Sequence, residues 1–419
     1  MAASKDVLVA GAGLIGLCTA YSLARAGHRV TLIDKDKVGS GAARGNAGEI
    51  TPIQVTPMPQ PEQLTEIVKG LTTRRHYLNI SPLSTPMLSA FGAGFVYNTL
   101  PSRVRKNTRD LDQLARGAFA AFDSYHQDGI SLAGGGYGFL NTHVSVDALQ
   151  VFRDNQVARA DMLGQERPGQ IMLDGDLHEF EPVLDEHVRA GFVAPTERYI
   201  DPNIFVDELH AKLLDYDAQI IEDTELVAIE SHKATLRNAN GETELGFDQA
   251  VVATGAWTTP KIKGLEATRT TWVTSGTGYS YHVQPDRLPG YLVASIDRKT
   301  IGVPISGELR VVGLMDFSTE VEKFEPQRIH HLASQASAFI KGIGDKPRYH
   351  EWTGPRPMTP TGLPIISPLK SAPDVIVATG HNMHGLSLGP VTAEIVASMV
   401  DGKPGIVAGA EVDMRPFAL

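Results

Sequence analysis

Cysteine is almost absent: Cys18 is the single one in 419 residues. One thiol excludes an internal disulfide, a cysteine-held iron–sulfur cluster and a metal site built on paired thiols. Inside an apolar stretch, Cys18 reads as a small buried hydrophobe. Long apolar runs are missing too. None approaches the roughly 20 residues of a membrane-spanning helix. A strand beginning by Asp6 leaves no room for the apolar core and cleavage site of a signal peptide. The expectation is a cytoplasmic chain, with peripheral attachment to the inner face of a membrane left open. Positive charge is in deficit: 38 Lys and Arg against 48 Asp and Glu give a net charge of −10, which argues against a nucleic-acid partner. No internal repeat or low-complexity segment occurs. What is abundant is glycine, 41 residues, in a chain long enough for two domains with ample core.

The first glycines carry the strongest pattern. Asp6-Val7-Leu8-Val9-Ala10 is apolar and β-branched and reads as a buried parallel strand. It runs into Gly11-Ala12-Gly13-Leu14-Ile15-Gly16, a G-x-G-x-x-G. Apolar residues at helical spacing follow from Leu17 to Ala26 and stop at Gly27. A second strand, Arg29–Ile33, ends at Asp34, eighteen residues after Gly16. The short motif is weak alone; the complete strand, turn, helix, strand and acid point to a dinucleotide. Gly11 permits the tight turn, Gly13 lets a pyrophosphate approach, and Gly16 allows close packing. The helix start faces the phosphates, and Asp34 is placed to accept from a ribose diol. The acid disfavours NADP but leaves NAD and FAD open.

Further along, Val38 to Gly48 is a loop of small residues, suited to backbone passing close to something flat or charged. Thr51 to Pro61 holds four prolines and reads as an extended lid or linker. Glu62 to Gln127 is helical in pattern, with Arg74, Arg75, Arg103, Arg105 and Lys106 on a solvated face. Gly134 to Leu140 is a turn into a strand, and Val146 to Leu163 a helix. Asp201-Pro202 starts another helix, followed by short strands at Ile220-Ile221 and Val227–Ile229. Gln249 to Trp257 is a buried strand ending in A-T-G-A-W. That strand, so far from the first motif, is a pattern of FAD enzymes; NAD dehydrogenases normally complete one doubly wound domain without interruption. Alternating residues in Thr274–His282, Tyr291–Ile296, Thr300–Val303 and Leu309–Gly313 predict an antiparallel sheet with one face available. A helix over Glu325–Ile340, a strand over Val375–Thr379 and a helix over Val391–Val400 complete the reading.

Six pieces in order carry a resemblance. They are G-A-G-L-I-G at Gly11 to Gly16, G-N-A-G at Gly45 to Gly48, G-Y-S at Gly278 to Ser280, G-x-L-R-V-x-G at Gly307 to Gly313, R-P-M-T-P at Arg356 to Pro360, and T-G-H at Thr379 to His381. Together they resemble the FAD-dependent D-amino-acid oxidase superfamily, most closely its bacterial D-amino-acid dehydrogenases. The resemblance implies an α/β fold: a Rossmann-like FAD-binding domain from residues 1–60, 197–262 and 350–419, and a substrate-binding domain of antiparallel sheet and helices from 61–196 and 263–349. It implies FAD contacts at Gly11, Gly13, Leu14, Ile15, Gly16, Asp34, Lys35, Asn46, Ala47, Gly48, Leu226, Thr254, Gly255, Trp257, Gly385, Leu386 and Ser387. The Asn46–Gly48 loop would lie along the isoalloxazine, and a helix starting near Gly385 would point its N-terminus at the N1–C2=O edge, where negative charge develops. Cys18 is misplaced for a covalent link and the loop has no His, so FAD is expected to be non-covalent.

For catalysis the resemblance assigns Arg356 to the substrate carboxylate, a role suited to a planar bidentate guanidinium. Tyr279 and Tyr281 share a strand face and are candidates to assist it, or simply sheet packing. His384, with His381, is a candidate for tuning substrate or flavin charge, or is held by backbone groups. The implied reaction is oxidation of a D-amino acid or a cyclic secondary amino acid of the D-proline or D-hydroxyproline type, with a quinone, another carrier or oxygen as electron acceptor. A glycine- or sarcosine-type oxidase and a flavin-bearing subunit needing a partner stay open.

Overall fold

The computed structural model describes residues 3–72, 76–80, 86–258, 262–265, 273–318, 321 and 323–419. Arg74 and Arg75 of the expected basic face lie outside these residues. The mixed α/β fold is built on two large sheets. The first has six strands in the order Ile365–Pro368, Val375–Thr379, Gln249–Val252, Asp6–Ala10 (β1), Arg29–Ile33 (β2) and Gln219–Ile221. All pairings are parallel except that of Ile365–Pro368 with its neighbour.

Alternation along β1 puts Val7 and Val9 into one core and Leu8 and Ala10 into another, so both faces are covered. On the first face pack helix Leu14–Arg25 (α1) and helices Pro202–Asp215 and Gly385–Val400. Cys18, fully buried, sits where α1 meets the last helix, within ordinary contact of a Cβ built at Gly389. On the second face lies an antiparallel meander of Glu225–Glu230, Lys233–Asn238 and Gly241–Gly246, whose last two strands the sequence reading missed. Each fully buried aliphatic side chain in such layers contributes about 1.5–3 kcal/mol.

The second sheet has ten strands. Its main path is Arg348–Met358, Thr274–Val283, Glu308–Ser318, Thr300–Ile305, Leu292–Ser295, Gly136–His143, Ala190–Tyr199 and Glu49–Ile50 (β3), with Leu78–Ile80 and Met172–Leu173 added at its sides. It is larger than the antiparallel sheet expected, and two of its pairings are parallel. Ala190–Tyr199 and Arg348–Met358 were not read as strands, because their prolines and charges hide the alternation. β3 and Arg348–Met358 form the two ends of this main path.

Two boundaries differ from the residue pattern. α1 begins at Leu14, inside the glycine motif, instead of Leu17. The last helix starts at Gly385, as the resemblance implies, and carries Pro390 in its interior, whereas the residue pattern alone begins it only after the proline. The Thr51–Pro61 segment is largely packed into the protein, with Met58 at the cleft. It contains a short turn at Pro52–Gln54 with Thr51, Pro52, Ile53 and Val55 buried, and Arg159 donates to the Val55 carbonyl at 2.8 Å. Among the described residues no helix is long and apolar enough to cross a membrane.

Candidate functional site

A single cleft of about 1140 Å3 holds most of the predicted residues. It is lined by Gly11, Gly13, Leu14, Ile15, Asp34, Lys35, Asn46, Ala47, Leu226, Thr254, Gly255, Trp257, Gly385 and Leu386, and also by Tyr279, Arg356 and His381. The three motif glycines divide their work. Gly11 has φ +105 and a Cβ there would lie 2.6 Å from the Ala253 carbonyl oxygen. A Cβ at Gly16 would lie 1.7 Å from the Gly11 oxygen, which explains why Gly16 packs the turn without reaching the cleft. At Gly13 a Cβ meets no protein atom within 4 Å: the space in front of it is the cleft itself. Gly13 caps α1, so the N–H groups of Leu14 and Ile15 open the helix at that point. A pyrophosphate fits this cradle. Asp34 Oδ2 accepts from Ala12 N–H at 2.6 Å and Oδ1 from Asp36 N–H at 2.9 Å, leaving each oxygen capacity toward a ribose diol.

The small-residue loop is fixed from several sides. Asn46 turns its side chain into the loop, donating to the Ala43 carbonyl and accepting from Gly48 N–H at 2.8 Å. Arg310 Nη1 donates to the carbonyls of Arg44 at 3.1 Å and Asn46 at 2.9 Å, and its Nε donates to His282 Nε2 at 2.9 Å. Arg310 lies in the G-x-L-R-V-x-G motif, yet nothing in the residue pattern signals that it clamps a loop some 265 residues away. Trp352 covers Gly45 so closely that any Cβ there would strike the indole at 2.0 Å.

Arg356 stands in the cleft wall on strand Arg348–Met358. Its Nη1 donates to the Leu314 carbonyl at 3.1 Å and lies 3.5 Å from that of Gly276. Among the described residues its Nε and Nη2 hydrogens have no protein partner. Burial pulls the guanidinium down to about 10, against the pull of Glu49 and Asp316, so it stays cationic at neutral pH. Gly278 makes room for it, since a Cβ there would lie 2.3 Å from Nη2. Gly278→Ala is therefore expected to fold and keep its cofactor, because the guanidinium is the end of a flexible chain. It should lower kcat/KM for carboxylate substrates by about 100-fold, the usual cost of a misplacement near 1 Å. Steady-state kinetics with flavin content checks this; unchanged kcat/KM would separate Arg356 from substrate binding.

The other candidates divide. Tyr279 reaches the cleft, but its hydroxyl donates to Asp316 Oδ2 at 3.2 Å, and Asp316 is ion-paired to Arg328. Tyr281 shares its face yet packs into the core below, away from the cleft. His384 also lies outside it: Nε2 pairs with the Thr56 carbonyl at 2.9 Å and the residue caps the last helix. Burial holds His384 down to about 4, against the Thr56 contact, and burial with nearby His384 holds His381 down to about 3. Both rings are neutral at neutral pH, and neither has the poise of an acid–base group there. Ser387 accepts from Thr51 N–H at 3.1 Å and donates to the Glu49 carbonyl at 2.9 Å, outside the cleft. Gly48, with φ +71, lies within 2.0 Å of the Ile200 oxygen when given a Cβ, and is a packing position. Glu49, directly after G-N-A-G, lines the cleft and was not singled out.

Comparison with known proteins finds the same fold. A D-amino acid dehydrogenase of Rhizobium johnstonii is 26% identical, over 99% of both chains. A glycine oxidase from Geobacillus kaustophilus superposes with a TM-score of 0.75 at 22% identity, covering 99% of this chain and 98% of that one. An L-proline dehydrogenase from P. horikoshii does so with a TM-score of 0.70 at 18% identity, covering 100% and 97%. The family described as FAD dependent oxidoreductase (DAO) matches residues 6–399, and the chain accordingly belongs to that family of FAD-dependent oxidoreductases.

Proposed function

We propose that this chain oxidises a D-amino acid, or a cyclic secondary amino acid of the D-proline or D-hydroxyproline type, to its imine. The observation that carries this reading is Arg356: a buried cation with unused hydrogens, in the same cleft as the dinucleotide cradle. Held by a bidentate pair, an α-carboxylate fixes the direction of the α C–H, and the cofactor, when bound, supplies the acceptor for the hydride. The protein contributes aim, charge and exclusion of water. Residues 1–60, 197–262 and 350–419 hold FAD in this reading, non-covalently, and 61–196 and 263–349 cover the substrate. The names of the dehydrogenase relatives favour the D form.

Anaerobic stopped-flow with paired D- and L-amino acids, proline and 4-hydroxyproline included, tests it. Flavin bleaching should be much faster with one enantiomer, the D form, because the other must give up either the ion pair or the C–H direction. Faster bleaching by L forms across the panel would overturn the assignment. The return of colour in air then separates an oxygen-using oxidase from a dehydrogenase with another acceptor.

A further inference from the structure

With Arg356 assigned to the carboxylate, the ammonium of an amino acid still needs a partner. Glu49 stands in the wall of the same cleft. Its backbone is fixed twice: β3 pairs with Ala190–Tyr199 through Glu49 and Tyr199, and its carbonyl accepts from Ser387. Its carboxylate, by contrast, makes no hydrogen bond or ion pair among the described residues. It is near enough to feel the charge of Arg356, yet the two form no ion pair. Opposite charges held apart in one cavity complement a zwitterion better than they complement each other. A half-buried carboxylate with no partner is also costly unless a ligand completes it.

We propose that Glu49 binds the α-ammonium of the substrate and accepts one of its protons. This rests on the amino-acid reading given above. In the step, one N–H bond of the ammonium breaks, one O–H bond forms on the Glu49 carboxylate, and the electron pair stays on nitrogen. The substrate loses no electrons here; it becomes the neutral amine whose lone pair can follow the departing hydride.

The surroundings of Glu49 set its working range. Burial pushes its carboxyl up to about 7, against the pull of Arg356 in the same cleft. From Ala190–Tyr199 comes Glu197, which burial and Glu49 hold well above the usual carboxylate range, with Arg159 behind it. His384, at the start of the last helix, is neutral. Glu49 is therefore protonated below neutrality and ionised above it, so its attraction for an ammonium grows as pH rises through about 7.

The test uses the FAD-loaded protein and two unreactive probes: 2-aminoisobutyrate, which has no α-hydrogen, and isobutyrate, the same skeleton without the amine. Binding is read from perturbation of the flavin spectrum. Above neutrality the wild type should prefer 2-aminoisobutyrate by about 10- to 100-fold, the usual worth of a hydrogen bond to a charged group. The preference should shrink as pH falls through neutrality. Glu49→Gln should abolish it and leave isobutyrate affinity at the wild-type level or higher. Glu49→Asp, keeping the charge on a shorter arm, should retain part of it and serves if the glutamine variant fails to fold. A preference that survives in Glu49→Gln, or that ignores pH, overturns the role of Glu49. If isobutyrate binds equally well to wild type and Arg356→Lys, or neither probe binds the wild type, the amino-acid reading falls and this proposal with it.

Discussion

Arg356→Lys is expected to lower kcat/KM for amino-acid substrates by about 2–4 kcal/mol of transition-state binding, roughly 30- to 800-fold, from the usual worth of charge-assisted bidentate bonds. Lysine keeps the charge but not the fork. In the wild type, Nη1 is occupied by the Leu314 carbonyl while Nε and Nη2 remain for a ligand. A single ammonium at this place cannot serve the backbone and both oxygens of a carboxylate together. Flavin content should stay at the wild-type level, since none of the cradle around Gly13 and Asp34 is touched. Steady-state kinetics and the flavin-to-protein ratio check both halves. A variant with full flavin and unchanged kcat/KM would remove Arg356 from the reaction.

Gly16→Val is expected to be strongly damaging to the strand–turn–helix unit formed by β1 and α1. A side chain at Gly16 meets the Gly11 carbonyl oxygen at 1.7 Å and its carbon at 2.9 Å, and Gly11 is itself wedged against Ala253. The obstacle is Gly11 backbone, which cannot swing away, and the Ala253 Cβ lies 3.6 Å off. α1 must lift from the turn, at a cost at or above the about 1–3 kcal/mol typical of an overpacked core. The N–H groups at its start then leave the cradle. Purified variant should contain little FAD and unfold at a lower temperature. Gly13→Ala is the contrast: its methyl enters open cleft, so thermal stability of the apoprotein should hold while flavin affinity drops. In the wild type, acid precipitation should release all flavin to the supernatant, because Cys18 is sealed between helices and the Asn46 loop offers no His. Full FAD and an unchanged melting temperature in Gly16→Val would refute this account of the motif.

Much of the cofactor half was legible because its signals are local. A strand, a tight turn and a helix start lie within about twenty residues, and the steric demands on Gly11 and Gly16 arise inside that same unit. The substrate half was less legible. Tyr279 and Tyr281 share a strand face, as period two requires, but only the depth of the sheet decided that Tyr279 meets the cleft and Tyr281 the core. His384 sits in the expected loop, and a carbonyl from Thr56, over three hundred residues earlier, turns it away.

The sequence alone determined the dinucleotide unit, which is written in spacing and residue type, and its ordered motifs pointed to the family. Tertiary structure decided which charges face each other across the cleft. Glu49 reads as an ordinary acid after G-N-A-G until β3 pairs with Ala190–Tyr199 and Arg348–Met358 brings Arg356 to the same cavity. Arg310 likewise becomes a clamp only when its strand passes beneath the Arg44–Asn46 carbonyls. Burial and charge pairing depend on distances through space, and chain spacing does not encode those until the sheet registers are set.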